Sequence, residues 1–248
     1  MESNQTSSPA PPHFGMLLLG IDTCGPSGSV ALGRLAGRDL EILGQIELEG
    51  RGYSSTLVSA VGQLLAGAGV GLSDLGGIVA VNGPGSFTGV RVGLSAGKGL
   101  AEPGRIPVVA VSRLEVLSRK AGVPSAALDA HRGEVFLRLE RAGQTPRELL
   151  AGSAELAALQ PAPPRVAVCD EAAAALLGAA WPTAQLVKSP APMASDALRM
   201  GEARLVAGAF VDLALLDGHY LRRSDAEIFG EKQEKQGLRD GNGKGLGT

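Results

Sequence analysis

The stretch Val81-Asn-Gly-Pro-Gly-Ser-Phe-Thr-Gly-Val-Arg-Val-Gly-Leu-Ser-Ala-Gly-Lys-Gly-Leu-Ala101 constrains this chain more than any other. Residues 77–82 read as a strand built on the apolar run Ile78 to Val81. Asn82 to Thr88 carry the chemistry of a tight loop, and the periodic run from 89 to 101 reads as a helix, with Thr88 placed to cap it. Residues four apart drift only about 40° around a helix, so Gly89, Gly93, Gly97 and Ala101 share one face. A glycine inside a helix costs about 1 kcal/mol relative to alanine. Three on one face predict close approach of another element: a helix, a sheet backbone or a phosphate.

The loop invites a nucleotide reading, which the spacing does not support. Gly83-Pro-Gly-Ser-Phe-Thr-Gly89 is GxGxxxG, not GxGxxG, and no strand ends near Glu102 to Arg105, where the ribose-binding acid belongs. Gly93-Leu-Ser-Ala-Gly-Lys-Gly99 is one residue short of a Walker A loop and has no Ser or Thr after Lys98. A looser phosphate loop stays open. Asp22 and Thr23 end the first strand, and Gly85, Ser86 and Thr88 face a helix start whose bare N–H groups could hold an anion.

The order of elements predicts the fold class. Residues 16–22, 29–35 and 40–48 read as an antiparallel meander, followed by a helix over 54–67. The glycine-rich unit, a strand over 106–111 and a helix opened by the capping box Ser112-Arg-Leu-Glu115 complete the first half. The second half echoes it: a hairpin over 125–130 and 134–140, helices over 153–160, 170–180 and 195–208, and strands at 165–169, 186–188 and 214–221. A repeated βββαβα unit predicts an α/β, two-subdomain actin/Hsp70-like (ASKHA, ribonuclease H-like) fold. The expected divisions are a disordered leader over 1–15, an N-terminal subdomain over 16–122, a smaller C-terminal subdomain over 123–230 and a disordered tail over 231–248.

The helix over 54–67 has an apolar face of Leu57, Val58, Val61, Leu64 and Leu65 and a second face of small residues, Ser55, Ser59, Gly62 and Ala66. With Gly89, Gly93 and Gly97 it makes two small-faced helices. Their faces either pack within the chain or form a docking surface for a partner's helices.

Other chemistry finds little to work with. His13, His131 and His219 form no HxxxH or HExxH pair, and no GxSxG elbow is present, so neither a metal nor a nucleophile is predicted. Cys24 and Cys169 lack metal spacing and read as free thiols of a reducing cytoplasm. A net charge of −2 and 3% aromatic residues argue against an autonomous nucleic-acid surface. No apolar run approaches the ~18 residues of a membrane span, and no signal peptide is evident.

The motifs resemble those of the TsaB (YeaZ) family. They are Leu18-Leu-Gly-Ile-Asp-Thr23 with Gly28-Ser-Val-Ala-Leu32, then Gly83-Pro-Gly-Ser-Phe-Thr-Gly-Val-Arg-Val-Gly93, Pro107-Val-Val-Ala-Val-Ser-Arg-Leu114, Leu128-Asp-Ala130 and Tyr220-Leu-Arg222. The resemblance implies a non-catalytic, cofactor-free scaffold in tRNA threonylcarbamoyladenosine formation. It implies that the first two helices pair with TsaD, that TsaE joins the assembly, and that tRNA is met only through the complex. Without TsaD, the same surface implies a homodimer. Two positions depart from the family: Tyr53 stands where histidine is common, and Asp129-Ala-His131 replaces Asp-Ala-Arg, with Arg132 displaced by one. The competing expectation from the residues is an actin-like ATP-binding kinase or ATPase using Asp22 and the 83–89 loop.

Overall fold

The computed structural model describes residues 15–49 and 52–222. The expected leader, apart from Gly15, and the expected tail lie outside the described residues, as does Arg51.

The first half begins with β1 (Met16–Asp22), β2 (Ser27–Ala36) and β3 (Asp39–Glu49), paired antiparallel. Gly37, at φ +64°, takes the left-handed conformation required by the tight β2–β3 turn. Next come α1 (Tyr53–Gly67), β4 (Leu75–Val81), α2 (Phe87–Gly104), β5 (Val108–Val111) and α3 (Arg113–Ala121). The second half has β6 (Ser125–Asp129), β7 (Glu134–Leu139), β8 (Arg147–Gly152), α4 (Ser153–Ala158), β9 (Arg165–Val168), α5 (Glu171–Ala180), β10 (Gln185–Lys188) and α6 (Ala194–Val206).

The two sheets run β3-β2-β1-β4-β5 and β10-β9-β6-β7-β8. They are the same sheet built twice. Each has two antiparallel pairings at its meander and two parallel pairings toward the other edge. This is the doubled βββαβα architecture of the actin-like fold. β8 completes the repeat, although Arg147-Glu-Leu-Leu-Ala-Gly152 carries too weak an alternation to announce a strand. Conversely, residues 214–221, expected as a strand, form a turn and an extended segment that joins neither sheet.

The last helix of each half packs on the other half's sheet. Leu114 and Leu117 of α3 are buried with Ala126, Leu128 and Phe136 of the second sheet. Ala194, Ala197, Leu198 and Leu205 of α6 are buried in the core of the first. Gly20 and Gly77 make room for α6: a Cβ on Gly20 would sit 2.7 Å from the Ala194 carbonyl, and one on Gly77 would sit 2.8 Å from Leu205. Thus α6, within the stretch expected to form the second half, belongs to the core of the first sheet. Full burial of a leucine such as Leu198 contributes about 1.5–3 kcal/mol, so the exchange ties the halves together strongly. α1 and α2 cover the other face of the first sheet. Trp181 anchors α4 to α5 from a fully buried position, its Nε1 donating to the Leu156 carbonyl at 2.9 Å. Among the described residues no helix is long and apolar enough to cross a membrane.

Candidate functional site

β1 delivers Asp22 and Thr23 into the crevice between the halves, but the chain itself fills that crevice. Asp22 is buried. Its Oδ1 accepts the Cys24 N–H at 2.9 Å, and its Oδ2 faces Arg113 Nε at 3.5 Å. That pair is a charge contact without a directed hydrogen bond, because Arg113 Nε has no hydrogen-bond partner. Burial pulls the Arg113 pKa down, and the neighbouring Asp22 charge and the two thiols more than offset it. The Tyr53 hydroxyl donates to the Gly25 carbonyl at 2.8 Å. Burial, reinforced by Asp22, pushes its phenol up to about 12. The same two causes push the Cys24 thiol well up.

The 82–88 loop closes over this turn. Ser86 N–H donates to the Cys24 carbonyl at 2.8 Å, and Arg113 N–H donates to the Gly83 carbonyl at 2.7 Å. A Cβ on Gly85 would collide with Cys24 backbone. Asp22, Thr23, Gly85 and Ser86 are therefore brought together, as a phosphate loop requires. Asp22 is already paired, however, and Thr23 Oγ1 is committed to the Gly89 carbonyl at 2.6 Å. Thr88 is exposed and caps nothing; Ser86 caps α2 instead, its Oγ accepting Gly89 N–H at 3.3 Å. The helix starts two residues earlier than its glycine periodicity suggests, at Phe87.

The glycine face of α2 points inward. Cβ atoms on Gly89 and Gly93 would overlap the Thr23 carbonyl oxygen and hydroxyl, and one on Gly97 would touch Ile21 at 3.9 Å. Gly89, Gly93 and Gly97 are thus contacts with the end of β1, a correction to their placement on a partner surface. On α1, by contrast, Ser55, Ser59, Gly62 and Ala66 are all exposed. Val58 joins them at 59% exposed, although the apolar pattern assigns it to the core.

What opens to solvent is the groove between α1 and α2, with a volume of about 610 Å³. Leu57 and Val58 form one wall; Phe87, Arg91, Val92 and Ser95 form the other. Phe87, Arg91 and Ser95 share a helix face four residues apart. That spacing is in the sequence, but the glycine ladder overlapping it is the stronger pattern. Phe87 is 43% exposed in a chain with few aromatic residues.

At the matching strand end of the second half, Asp129 Oδ2 lies 2.9 Å from His131 Nδ1 and its Oδ1 accepts the His131 N–H at 2.8 Å. A second cluster joins the halves. Glu148 on β8 accepts from Ser112 Oγ at 2.8 and 2.7 Å and from Arg138 at 3.0 Å, and lies 3.0 Å from His219 Nε2. Burial pushes the Glu148 carboxyl up; hydrogen bonds from His219, Ser112 and Arg138 more than reverse this and leave it below the usual carboxylate range. The sequence marks neither Glu148, whose strand it does not announce, nor His219, which joins no histidine motif. Among the described residues no group of three or more His, Cys, Asp and Glu side chains is placed to hold a metal ion.

The family model TsaD: tRNA N6-adenosine threonylcarbamoyltransferase matches residues 45–216. The chain is similar to the tRNA threonylcarbamoyladenosine biosynthesis protein TsaB of Escherichia coli (strain K12), at 35% identity over 127 residues, covering 49% of this chain and 53% of that protein. It is similar to the protein of the same description from Bacillus subtilis (strain 168), at 38% over 128 residues, covering 50% and 55%. The chain thus spans about half the length of the curated relatives it matches. YeaZ from Pseudomonas aeruginosa superposes with a TM-score of 0.64 at 26% identity, over 83% of this chain and 100% of that one. Motif, repeated sheet and these matches agree: the chain belongs to the TsaD-type family, in its TsaB (YeaZ) branch.

Proposed function

We propose that this chain is a non-catalytic, cytoplasmic subunit in tRNA threonylcarbamoyladenosine biosynthesis. It docks a TsaD homologue through the exposed faces of α1 and α2, with a TsaE homologue completing the assembly and tRNA bound only by the whole. The carrying observation is the α1–α2 groove, where Val58 and Phe87, 59% and 43% exposed, stand on facing walls. The other exposed large apolar side chains among the described residues, Val206, Phe210 and Leu215, line no such groove and follow one another at and beyond the end of α6. Small residues at Ser55, Ser59, Gly62 and Ala66 leave the flank of α1 low enough for a partner helix to approach closely. The names carried by its relatives, for a TsaB biosynthesis protein and a threonylcarbamoyltransferase, support the pathway. The sealed Asp22 crevice, whose carboxylate is already spent on Arg113, supports a non-catalytic role. In the absence of the TsaD homologue the same face pairs two copies of the chain.

The test is co-expression with the TsaD homologue of the same genome. Val58→Asp places a carboxylate in the apolar contact, where it costs desolvation and competes for Arg91 across the groove, and weakens the complex at least about 30-fold, while an exposed site leaves the fold unaffected. Undiminished co-elution of this variant would refute the docking face. Transfer of threonylcarbamoyl to tRNA by the purified chain alone would refute the non-catalytic role.

A further inference from the structure

The segment 218–222 belongs to no sheet, yet its side chains reach both halves. The His219 N–H donates to the Asn82 carbonyl at 2.6 Å, while its imidazole meets Glu148 of β8. Leu221 packs among the residues around α3 and the second sheet, and Arg222 pairs with Glu134 of β7. Tyr220 points the other way, onto the start of α2. Its ring lies 5.0 Å from that of Phe87, and its hydroxyl accepts from Arg91 Nε at 3.3 Å. Gly218 permits this fold-back: a Cβ there would sit 2.7 Å from the Tyr220 hydroxyl and 2.8 Å from Val90.

The result is a fixed cation. The Arg91 guanidinium lies 3.8 Å from the centre of the Phe87 ring and is held at its Nε by Tyr220. Stacking of this kind leaves the outer edge of the fork free for a bidentate carboxylate. Arg91 is exposed at the groove rim and makes no ion pair among the described residues, where ten other pairs form. Every other wall position named above is apolar or a small hydroxyl.

We propose that Tyr220 is a positioning residue that presents Arg91 to a carboxylate on the docked partner, so that the α1–α2 groove takes an apolar helical ridge carrying one Asp or Glu at its edge. This rests on the docking face proposed above. The occupant is the TsaD homologue. Preordering the guanidinium removes the side-chain entropy that a free arginine loses on binding, which is why one hydroxyl far along the chain matters to affinity.

The experiment is titration of the TsaD homologue of the same genome with native chain and variants, at low and high salt. Tyr220→Phe keeps the ring on Phe87 and removes only the hydroxyl. It raises Kd about tenfold with an unchanged Tm. Arg91→Ala raises Kd by about 30-fold or more and flattens the salt dependence. In the Arg91→Ala background, Tyr220→Phe adds nothing further. Native Kd and native salt dependence in both single variants, with Val58→Asp still abolishing binding, would overturn the role of Tyr220 and Arg91 and leave the docking face standing. Undiminished binding by Val58→Asp would instead overturn the docking face itself. Equal effects of Tyr220→Phe with and without Arg91 would also overturn the proposal, because the hydroxyl would then act through something else. Self-association of the chain that depends on Arg91, without binding of the TsaD homologue, would overturn the choice of occupant.

Discussion

The Thr23 hydroxyl donates to the Gly89 carbonyl at 2.6 Å, and the Thr23 carbonyl occupies the space a Gly89 side chain would need. This contact between the end of β1 and the first turn of α2 explains the glycine ladder. The helix lies close on the strand end because no side chain projects from its glycine row, while Val90 and Leu94 beside that row fill the core.

A contrast within one helix tests that account. Gly89→Ala forces a methyl group against backbone and lowers stability by about 1–3 kcal/mol despite its better helix propensity. Gly99→Ala, on the same helix with nothing within 4 Å, raises stability by up to about 1 kcal/mol. Urea unfolding of the two variants gives shifts of opposite sign.

Asp22 and Arg113 are both buried, so removing either leaves a charge without its partner. Arg113→Met and Asp22→Asn each lower stability by about 3–5 kcal/mol. The double variant recovers much of the loss, because neither charge is then buried alone. Denaturant midpoints of the three proteins, compared as a double-mutant cycle, measure the coupling.

Glu148 sets an acid limit. Its folded pKa lies below that of the unfolded chain, so its contribution is fully present above about pH 4.5 and is lost as pH falls through the lower folded value. Glu148→Gln therefore destabilises the protein at pH 7, and the gap to the native protein narrows below about pH 4.5. Unfolding free energies measured from pH 7 to pH 3 follow that closing gap.

The two cysteines differ in access. Cys24 is buried with its thiol pushed well up, whereas Cys169 is half-buried and raised chiefly by burial. A disulfide reagent at pH 8 modifies Cys169 slowly and leaves Cys24 untouched until denaturant is added. Mass spectrometry of the native and denatured protein then counts one and two adducts respectively.

The repeated unit was legible because strands such as 16–22 and 77–81 are buried on both faces and read as continuous apolar runs. Arg147 to Gly152 escaped notice because one face of β8 is only partly buried, which leaves the alternation weak. Residues 214–221 misled for the opposite reason. They carry enough apolar and aromatic side chains to suggest a strand, but Leu216 and Tyr220 pack on the first core, Leu221 packs on the cluster around α3, and Leu215 stays exposed.

Sequence by itself determined the order of elements, the doubled sheet and the need for something to lie close against Gly89, Gly93 and Gly97. Those follow from local periodicity and from the absence of side chains. Only the tertiary structure decided what lies there, and therefore which faces of α1 and α2 stay open. A small-residue stripe has the same local signature whether it meets its own β1 or another protein. The choice is made by the exchange of α3 and α6 between sheets and by Tyr220 returning from the far end of the chain. Both are long-range contacts between segments that carry no mark of one another in the sequence.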